Sequence, residues 1–100
     1  MQTGKIERFD YETVAASQTA QVLGKTGESG DMLHKLIISV ATSATGTVTL
    51  LDNATSIVIT AANTPIGVYE VEFNMRSKSG PWKVTTGAGA TVIGIGRFKE

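Results

Sequence analysis

Nearly a third of this chain of 100 residues is branched at the β-carbon: 14 Thr, 9 Val and 8 Ile. Branching at Cβ restricts the side-chain torsion χ1 against a helical turn, and it suits the pleated surface of a sheet. No window of twelve or more residues keeps the i, i+3, i+4, i+7 apolar spacing of an amphipathic helix. The sequence therefore predicts an all-β protein.

Alternation of apolar and polar residues locates the strands and their inner faces. It is clearest over residues 68–75, where Tyr69, Val71, Phe73 and Met75 face one way and polar residues face the other. The other residues predicted to face inward are Val48, Leu50, Ile57, Ile59, Trp82, Val84 and Thr86.

The longest apolar run, residues 32–40, indicates a central strand covered on both faces for part of its length. Weaker patterns at residues 6–14 and 20–23 bring the total to about eight strands, separated by Gly-, Ser- and Asn-rich turns. Short strands at this spacing favour a sandwich, a jelly roll or a small barrel. We predict one antiparallel β-sandwich of the jelly-roll type at residues 11–100, preceded by an extended arm at residues 1–10.

Two glycines, Gly94 and Gly96, share the Val92 face of the last predicted strand. Two glycines on one face indicate close approach by another backbone or by a bulky ring. We expect the ring of Trp82 or Phe73 to lie over them.

Charge and composition exclude several classes of function. Nine basic residues balance nine acidic ones, so no net field favours nucleic acid or an anionic membrane surface. Cysteine is absent, which excludes a disulfide scaffold and thiolate chemistry. No apolar run reaches the roughly 18–20 residues that span a bilayer, and residues 1–8 lack a signal-peptide pattern. We therefore expect no cofactor, metal, membrane or direct nucleic-acid partner, and synthesis in the cytoplasm.

The segment at residues 24–30 contains Gly-Lys-Thr, the end of a phosphate-binding P-loop. A P-loop needs a glycine five positions before the Gly-Lys pair, where this chain has Thr19, and a helix must follow. Neither condition is met. The segment is interpreted as a glycine-rich loop between strands.

The single histidine, His34, is the one residue on which a hydrolase triad could rest. Its local partners would be Asp31 with Ser29 or Ser39, but Asp31 falls on the opposite face of a regular strand. We therefore expect His34 to be a sheet-surface or interface residue.

Carboxylates and cations give two weaker candidates. Glu70 and Glu72 lie on one strand face at a glycosidase-like spacing, but an open face would leave both solvated. Four basic residues near Trp82 suggest base stacking, yet with one Trp and no net charge a core position for Trp82 is favoured. We predict that the protein is not an enzyme.

Four segments carry a resemblance to a known family. Residues 11–16 (YETVAA), 21–27 (QVLGKTG), 79–88 (SGPWKVTTGA) and 92–98 (VIGIGRF) resemble small proteins of tailed bacteriophages encoded among the virion structural genes. Such proteins look like capsid decoration, or cement, proteins with a jelly-roll β-sandwich. The resemblance covers most of residues 11–98.

The resemblance implies a non-enzymatic protein on the capsid exterior of a virion, assembled in the bacterial cytoplasm. Its expected partners are the major capsid protein and further copies of itself, with a dimer favoured over a trimer. The candidate capsid or subunit contacts, from the arm and from the loop at 24–30, are Lys5, Arg8, Phe9, Lys25, Thr26 and Glu28. The alternative is a fibre, spike or tail-associated sandwich that binds host glycan through exposed aromatic side chains, although most of the six aromatics are expected on inner faces.

Overall fold

The computed structural model describes residues 9–24, 26–42 and 45–98, and within them it contains eight strands and no helix. The strands are β1 (Asp10–Val14), β2 (Gln21–Val22), β3 (Met32–Val40), β4 (Val48–Asp52), β5 (Thr55–Thr60), β6 (Gly67–Arg76), β7 (Trp82–Thr85) and β8 (Ala90–Arg97). The predicted all-β class is confirmed. Residues 6–8 of the first predicted strand lie outside the described residues.

The strands form two antiparallel sheets that enclose one core. The long sheet has the order β1-β8-β3-β6, and the short sheet has the order β2-β7-β4-β5. Every connection except the β4–β5 hairpin passes from one sheet to the other. This winding is that of an eight-stranded jelly roll, the sandwich predicted from the strand spacing.

The core consists of apolar side chains from the inner faces of both sheets. Its buried members are Val14, Leu23, Leu33, Leu36, Ile38, Val40, Val48, Leu50, Trp82, Val84, Ala90, Val92 and Phe98. Tyr69, Val71 and Phe73 are half-buried against it, as predicted. The predictions for Ile57 and Met75 were wrong, since both are exposed. Ile57 lies on an edge strand, and Met75 follows an irregularity in β6.

Trp82 is a core residue, 2% exposed, and its indole Nε1 donates a hydrogen bond to the carbonyl oxygen of Asp31 at 2.9 Å. A buried indole needs such a partner for its one donor. This confirms the core position that was favoured over base stacking.

The glycines of β8 do meet close neighbours, but not the expected ones. A Cβ at Gly94 would lie 3.1 Å from a methyl group of Leu23, and a Cβ at Gly96 would overlap the carbonyl oxygen of Met32 and press on the ring of Phe98. The prediction that the ring of Trp82 or Phe73 lies over these glycines was therefore wrong. Leu23, just after β2, and Phe98, just after β8, occupy the space instead.

Two register shifts interrupt the regular pairing of the long sheet. Leu33 and Lys35 of β3 are two residues apart. Their partners in β8, Gly96 and Ile95, are one residue apart, and their partners in β6, Met75 and Glu72, are three residues apart. The extra residues are β-bulges, which interrupt the alternation and re-aim side chains. Leu33 and Leu36 consequently both face the core although they are three residues apart. The bulge in β6 includes Asn74, whose φ is 49°.

Candidate interaction surface

The outer face of the long sheet carries an aromatic side chain at its β1 edge and charged side chains at its β6 edge. The register places two rows of outward-facing side chains across all four strands. One row consists of Tyr11, Ile95, Lys35 and Glu72, and the next consists of Thr13, Ile93, Ile37 and Glu70. The centre is therefore aliphatic and half-buried, while the β6 side carries carboxylates. Strand β3 was predicted to be covered on both faces for part of its length. Its inner face is buried, and its outer face is half-buried except at the exposed Ser39.

An ion pair links β3 to β6 on this face. The Lys35 ammonium lies 2.5 Å from a carboxylate oxygen of Glu70. The hydrogen bond to Glu70 raises the pKa of Lys35, and the same bond lowers the pKa of Glu70. Glu70 and Glu72 are both exposed, as predicted. A carboxylate held ionised in this way is poorly suited to be the general acid of a glycosidase pair.

His34 lies on the sheet surface beside the bulges, in the kind of position that was predicted for it. Its Nδ1 is 2.5 Å from the Oδ1 of Asn74, and its ring stacks on Phe9 with 4.7 Å between ring centroids and 6° between planes. An amide oxygen can only accept, so Nδ1 carries the proton in this contact. The neighbour expected for a triad, Asp31, is buried, and its carboxylate accepts a hydrogen bond from the Glu28 backbone. His34 thus serves to hold Phe9 against the sheet.

The loop between β2 and β3 is tied firmly to the β6–β7 connection. The Gly30 backbone N–H donates to both the carbonyl and the hydroxyl oxygen of Ser77, and that hydroxyl donates to the Glu28 carbonyl at 3.1 Å. The Ser29 hydroxyl donates to the Lys78 carbonyl at 3.0 Å. Strand β3 follows the loop, which agrees with its interpretation as a connection and not as a P-loop.

Charged residues of both signs line an open cleft of about 490 Å³ at the end of the sandwich where β1 begins. The lining residues are Asp10, Glu28, Gly30, Asp31, Met32, Arg76, Arg97 and Phe98. Arg76 and Arg97 flank Met32 in register, one from each neighbouring strand. This region is called the charged end below.

One predicted contact residue lines the charged end, and a second is the sequence neighbour of a lining residue. Glu28 lines the cleft, and Phe9 immediately precedes Asp10 of the lining. Thr26 is exposed in the same loop as Glu28. The other predicted contacts, Lys5, Arg8 and Lys25, lie outside the described residues.

The opposite end of the long sheet carries an apolar groove of about 490 Å³ that sequence reasoning missed. It includes Val40, Ala41 and Gly89, together with Ile66 and Val68, which are 65% and 70% exposed. The alternation in β6 contained the signal for Val68, since it shares the outward face with Glu70. Nothing in the local pattern marked Ile66, which precedes the strand.

The aromatic side chains divide between core and surface. Trp82 and Phe98 are buried, and Tyr69 and Phe73 are half-buried, as expected for most of the six. Tyr11, however, is 73% exposed on the outer face of β1. An aromatic ring at an edge strand is therefore open to a partner.

Within the described residues, no group of three or more acidic or histidine side chains could hold a metal ion. The same part of the chain contains no helix that is long and apolar enough to cross a membrane. Comparison of the chain with protein families, with curated proteins and with solved structures finds no match.

Proposed function

We propose that this protein is a structural protein of a bacteriophage virion, which binds the outer surface of the capsid and reinforces contacts between major capsid protein subunits. Two lines of reasoning support the proposal. The four sequence segments that resemble decoration proteins imply a jelly-roll sandwich, and the chain has that fold. The charged end presents side chains of both signs in an open cleft, which is a pattern suited to contact with another protein.

The charged end is the observation that carries the proposal. Its cleft is open and presents Asp10, Glu28, Arg76 and Arg97 in a chain whose net charge is zero. Interspersed charges of both signs give specificity and register to a protein interface, whereas capture of nucleic acid needs a basic excess. The charged end therefore suits a protein partner of complementary pattern.

The loop at the charged end is held in place before any partner binds. Glu28, Ser29 and Gly30 make hydrogen bonds to the β6–β7 connection. A preorganised contact loses less conformational entropy on binding, so more of its interaction energy appears as affinity. On a capsid the same site recurs many times, and modest affinity per site is multiplied by avidity when copies are linked.

The experiment is binding to capsids that lack the protein, followed by sedimentation. Glu28→Lys reverses a charge at the charged end, and Glu72→Lys makes the same change on the exposed outer face of β6. We expect wild type and Glu72→Lys to sediment with capsids, and Glu28→Lys to bind at least about tenfold more weakly. Wild-type protein that stays in the supernatant at every concentration would refute the capsid role.

A second candidate function, binding of host glycan by a tail-associated sandwich, is favoured by one observation. Tyr11 is 73% exposed, and Ile95 lies opposite it in the register. An exposed aromatic ring offers an apolar face to a sugar. Saturable binding on a glycan array that is lost in Tyr11→Ala would support this function, and an array without signal would remove it.

A further inference from the structure

The four edge strands of the sandwich differ in how they are protected. Exposed edges invite pairing with another chain, and native sheets block this with charges, Pro, bulges or very short strands. The edge strand β6 carries Glu70, Glu72 and a bulge, and β1 carries Asp10 and Glu12. The remaining edge of the short sheet opposite β5, strand β2, has only two residues.

Strand β5 lacks most of these protections. Its six residues, Thr-Ser-Ile-Val-Ile-Thr, include no charge and no Pro, and five of them are β-branched. Its register with β4 is regular from Thr55 to Val58, and the single bulge falls at Ile59. One side of β5 pairs with β4, and within residues 9–24, 26–42 and 45–98 no strand pairs with the other side.

Strand β5 exposes one large apolar side chain on each face of the sheet. Val58, on the outer face, is 64% exposed, and Ile57, on the inner face, is 41% exposed. All residues from Thr55 to Val58 are exposed. A strand laid along this edge would cover Ile57 and Val58 and would pair the backbone groups that face away from β4.

We propose that β5 pairs in antiparallel fashion with β5 of a second copy of this chain, so that two short sheets join into one continuous eight-stranded sheet. A twofold axis makes the contact isologous, with the same residues on both sides. An uncharged strand can face itself without like-charge repulsion, whereas β6 would set carboxylates against carboxylates. This inference does not depend on the capsid role.

The geometry limits the assembly to two copies and fixes how the strands meet. Residues directly opposite each other in an antiparallel pair alternate between hydrogen-bonded and non-hydrogen-bonded pairs. A twofold axis preserves this alternation only if it lies midway between a residue and the same residue of the second copy. Axes at Ser56, Ile57 or Val58 keep most of the exposed stretch paired. Each dimer uses up both β5 edges, so growth stops there.

The first test measures mass by sedimentation equilibrium over a concentration series. Val58→Lys places a charge at the centre of β5, and Val68→Lys makes the same change at a valine of matching exposure on the edge strand β6, 64% against 70%. We expect a dimer for wild type and Val68→Lys, and a monomer for Val58→Lys that still unfolds in a cooperative melting transition. A monomeric wild type, a trimer, or a Val58→Lys dimer of wild-type affinity would overturn the inference.

The second test uses the absence of cysteine in the chain. Single variants Ser56→Cys, Ile57→Cys and Val58→Cys are oxidised, with Val68→Cys as the control. Residues directly opposite in an antiparallel pair have Cα atoms about 4.5–5.5 Å apart, within the span of a disulfide. We expect one of the three β5 variants to form a disulfide-linked dimer and Val68→Cys to remain a monomer. Failure of all three, or equal cross-linking of Val68→Cys, would overturn the inference.

Discussion

The two sheets share one core but differ on every surface that turns away from it. Strands of the long sheet have 5, 8, 9 and 10 residues, and those of the short sheet have 2, 4, 5 and 6. The long sheet carries an ion pair and the exposed aromatic ring of Tyr11 on its outer face. The short sheet carries the core tryptophan and the uncharged edge β5.

Burial constrains the inner faces of the two sheets alike and leaves their outer faces free to differ. Inner positions of β3 and β4, such as Leu36 and Leu50, are equally inaccessible. Outer positions separate sharply, with the Lys35–Glu70 ion pair on the long sheet and Val58 at the edge of the short one. The proposed capsid contact therefore lies at the charged end, and the proposed self-association lies at β5 of the short sheet.

The largest expected effect comes from emptying the shared core from either side. Leu36→Ala in the long sheet and Leu50→Ala in the short sheet each remove a fully buried side chain. We expect each to lower the free energy of unfolding by about 2–5 kcal/mol, by similar amounts, because both lose apolar burial and leave a cavity. Denaturant unfolding measures this. A cost below about 1 kcal/mol at only one site would contradict a single core.

The next effect concerns the close approach at β8. Gly96→Ala sets a methyl group against the Met32 carbonyl, which the β3–β8 ladder holds in place, and we expect a loss of about 1–3 kcal/mol. Gly94→Ala meets methyl groups of Leu23 at 3.1 and 3.3 Å, which can shift, so we expect a smaller loss. Thermal melting of both variants tests the order, and a larger loss for Gly94→Ala would reverse it.

A smaller effect is expected at the core tryptophan. Trp82→Phe removes the indole hydrogen bond to the Asp31 carbonyl, which still accepts from the Ser77 backbone N–H at 2.9 Å. Because the carbonyl keeps a partner, we expect a loss of only about 1–2 kcal/mol. Unfolding in urea measures it. A loss as large as that of Leu36→Ala would show that the indole does more than fill the core and make this bond.

The smallest effect is electrostatic. Hydrogen bonding to Lys35 lowers the pKa of Glu70, so its stabilising contribution is present above the unfolded-state pKa and is lost as pH falls through the folded-state pKa. The pKa of Lys35 is raised, so its contribution to stability is present at lower pH and is lost as pH rises through the folded-state pKa. We expect Glu70→Gln to flatten the acid limb of stability against pH and to weaken its salt dependence.

Unfolding across pH at low and high salt measures this effect, with Glu72→Gln as the control on the same strand face. We expect Glu72→Gln to change the curve less than Glu70→Gln does, because Glu70 is the carboxylate that accepts the hydrogen bond from Lys35. If Glu70→Gln and Glu72→Gln change the curve equally, the ion pair is not the source of the effect.

Much of the fold could be predicted from residue types and alternation. The β-branched composition indicated the all-β class. The inner faces of β4 and β7 could be predicted because successive side chains of a strand point to opposite faces, so buried residues recur at every second position. The bulges could not be placed in this way, because an inserted residue is set by pairing between distant strands. The one sign of a bulge in the sequence of β3 was the spacing of Leu33 and Leu36, which are three residues apart and both buried. Ile57 was assigned to the core because alternation does not reveal which strand is at an edge.

Less of the surface could be predicted. The sequence pointed to Glu28 as a candidate contact, but not to its position at one end of the sandwich beside Arg76 and Arg97. Those residues are distant in the chain and meet only through the strand order. The contact of Phe9 with His34 has the same origin, since Phe9 precedes β1, His34 lies in β3, and β8 separates those two strands in the sheet.

The capsid role is tested most directly by a cryo-EM reconstruction of virions assembled with this protein present. We predict density for β-sandwiches at equivalent sites on the outer surface of the shell, bridging neighbouring capsid subunits, with the charged end against the shell. A fully resolved shell without this density, or the protein found only on the tail, would contradict it.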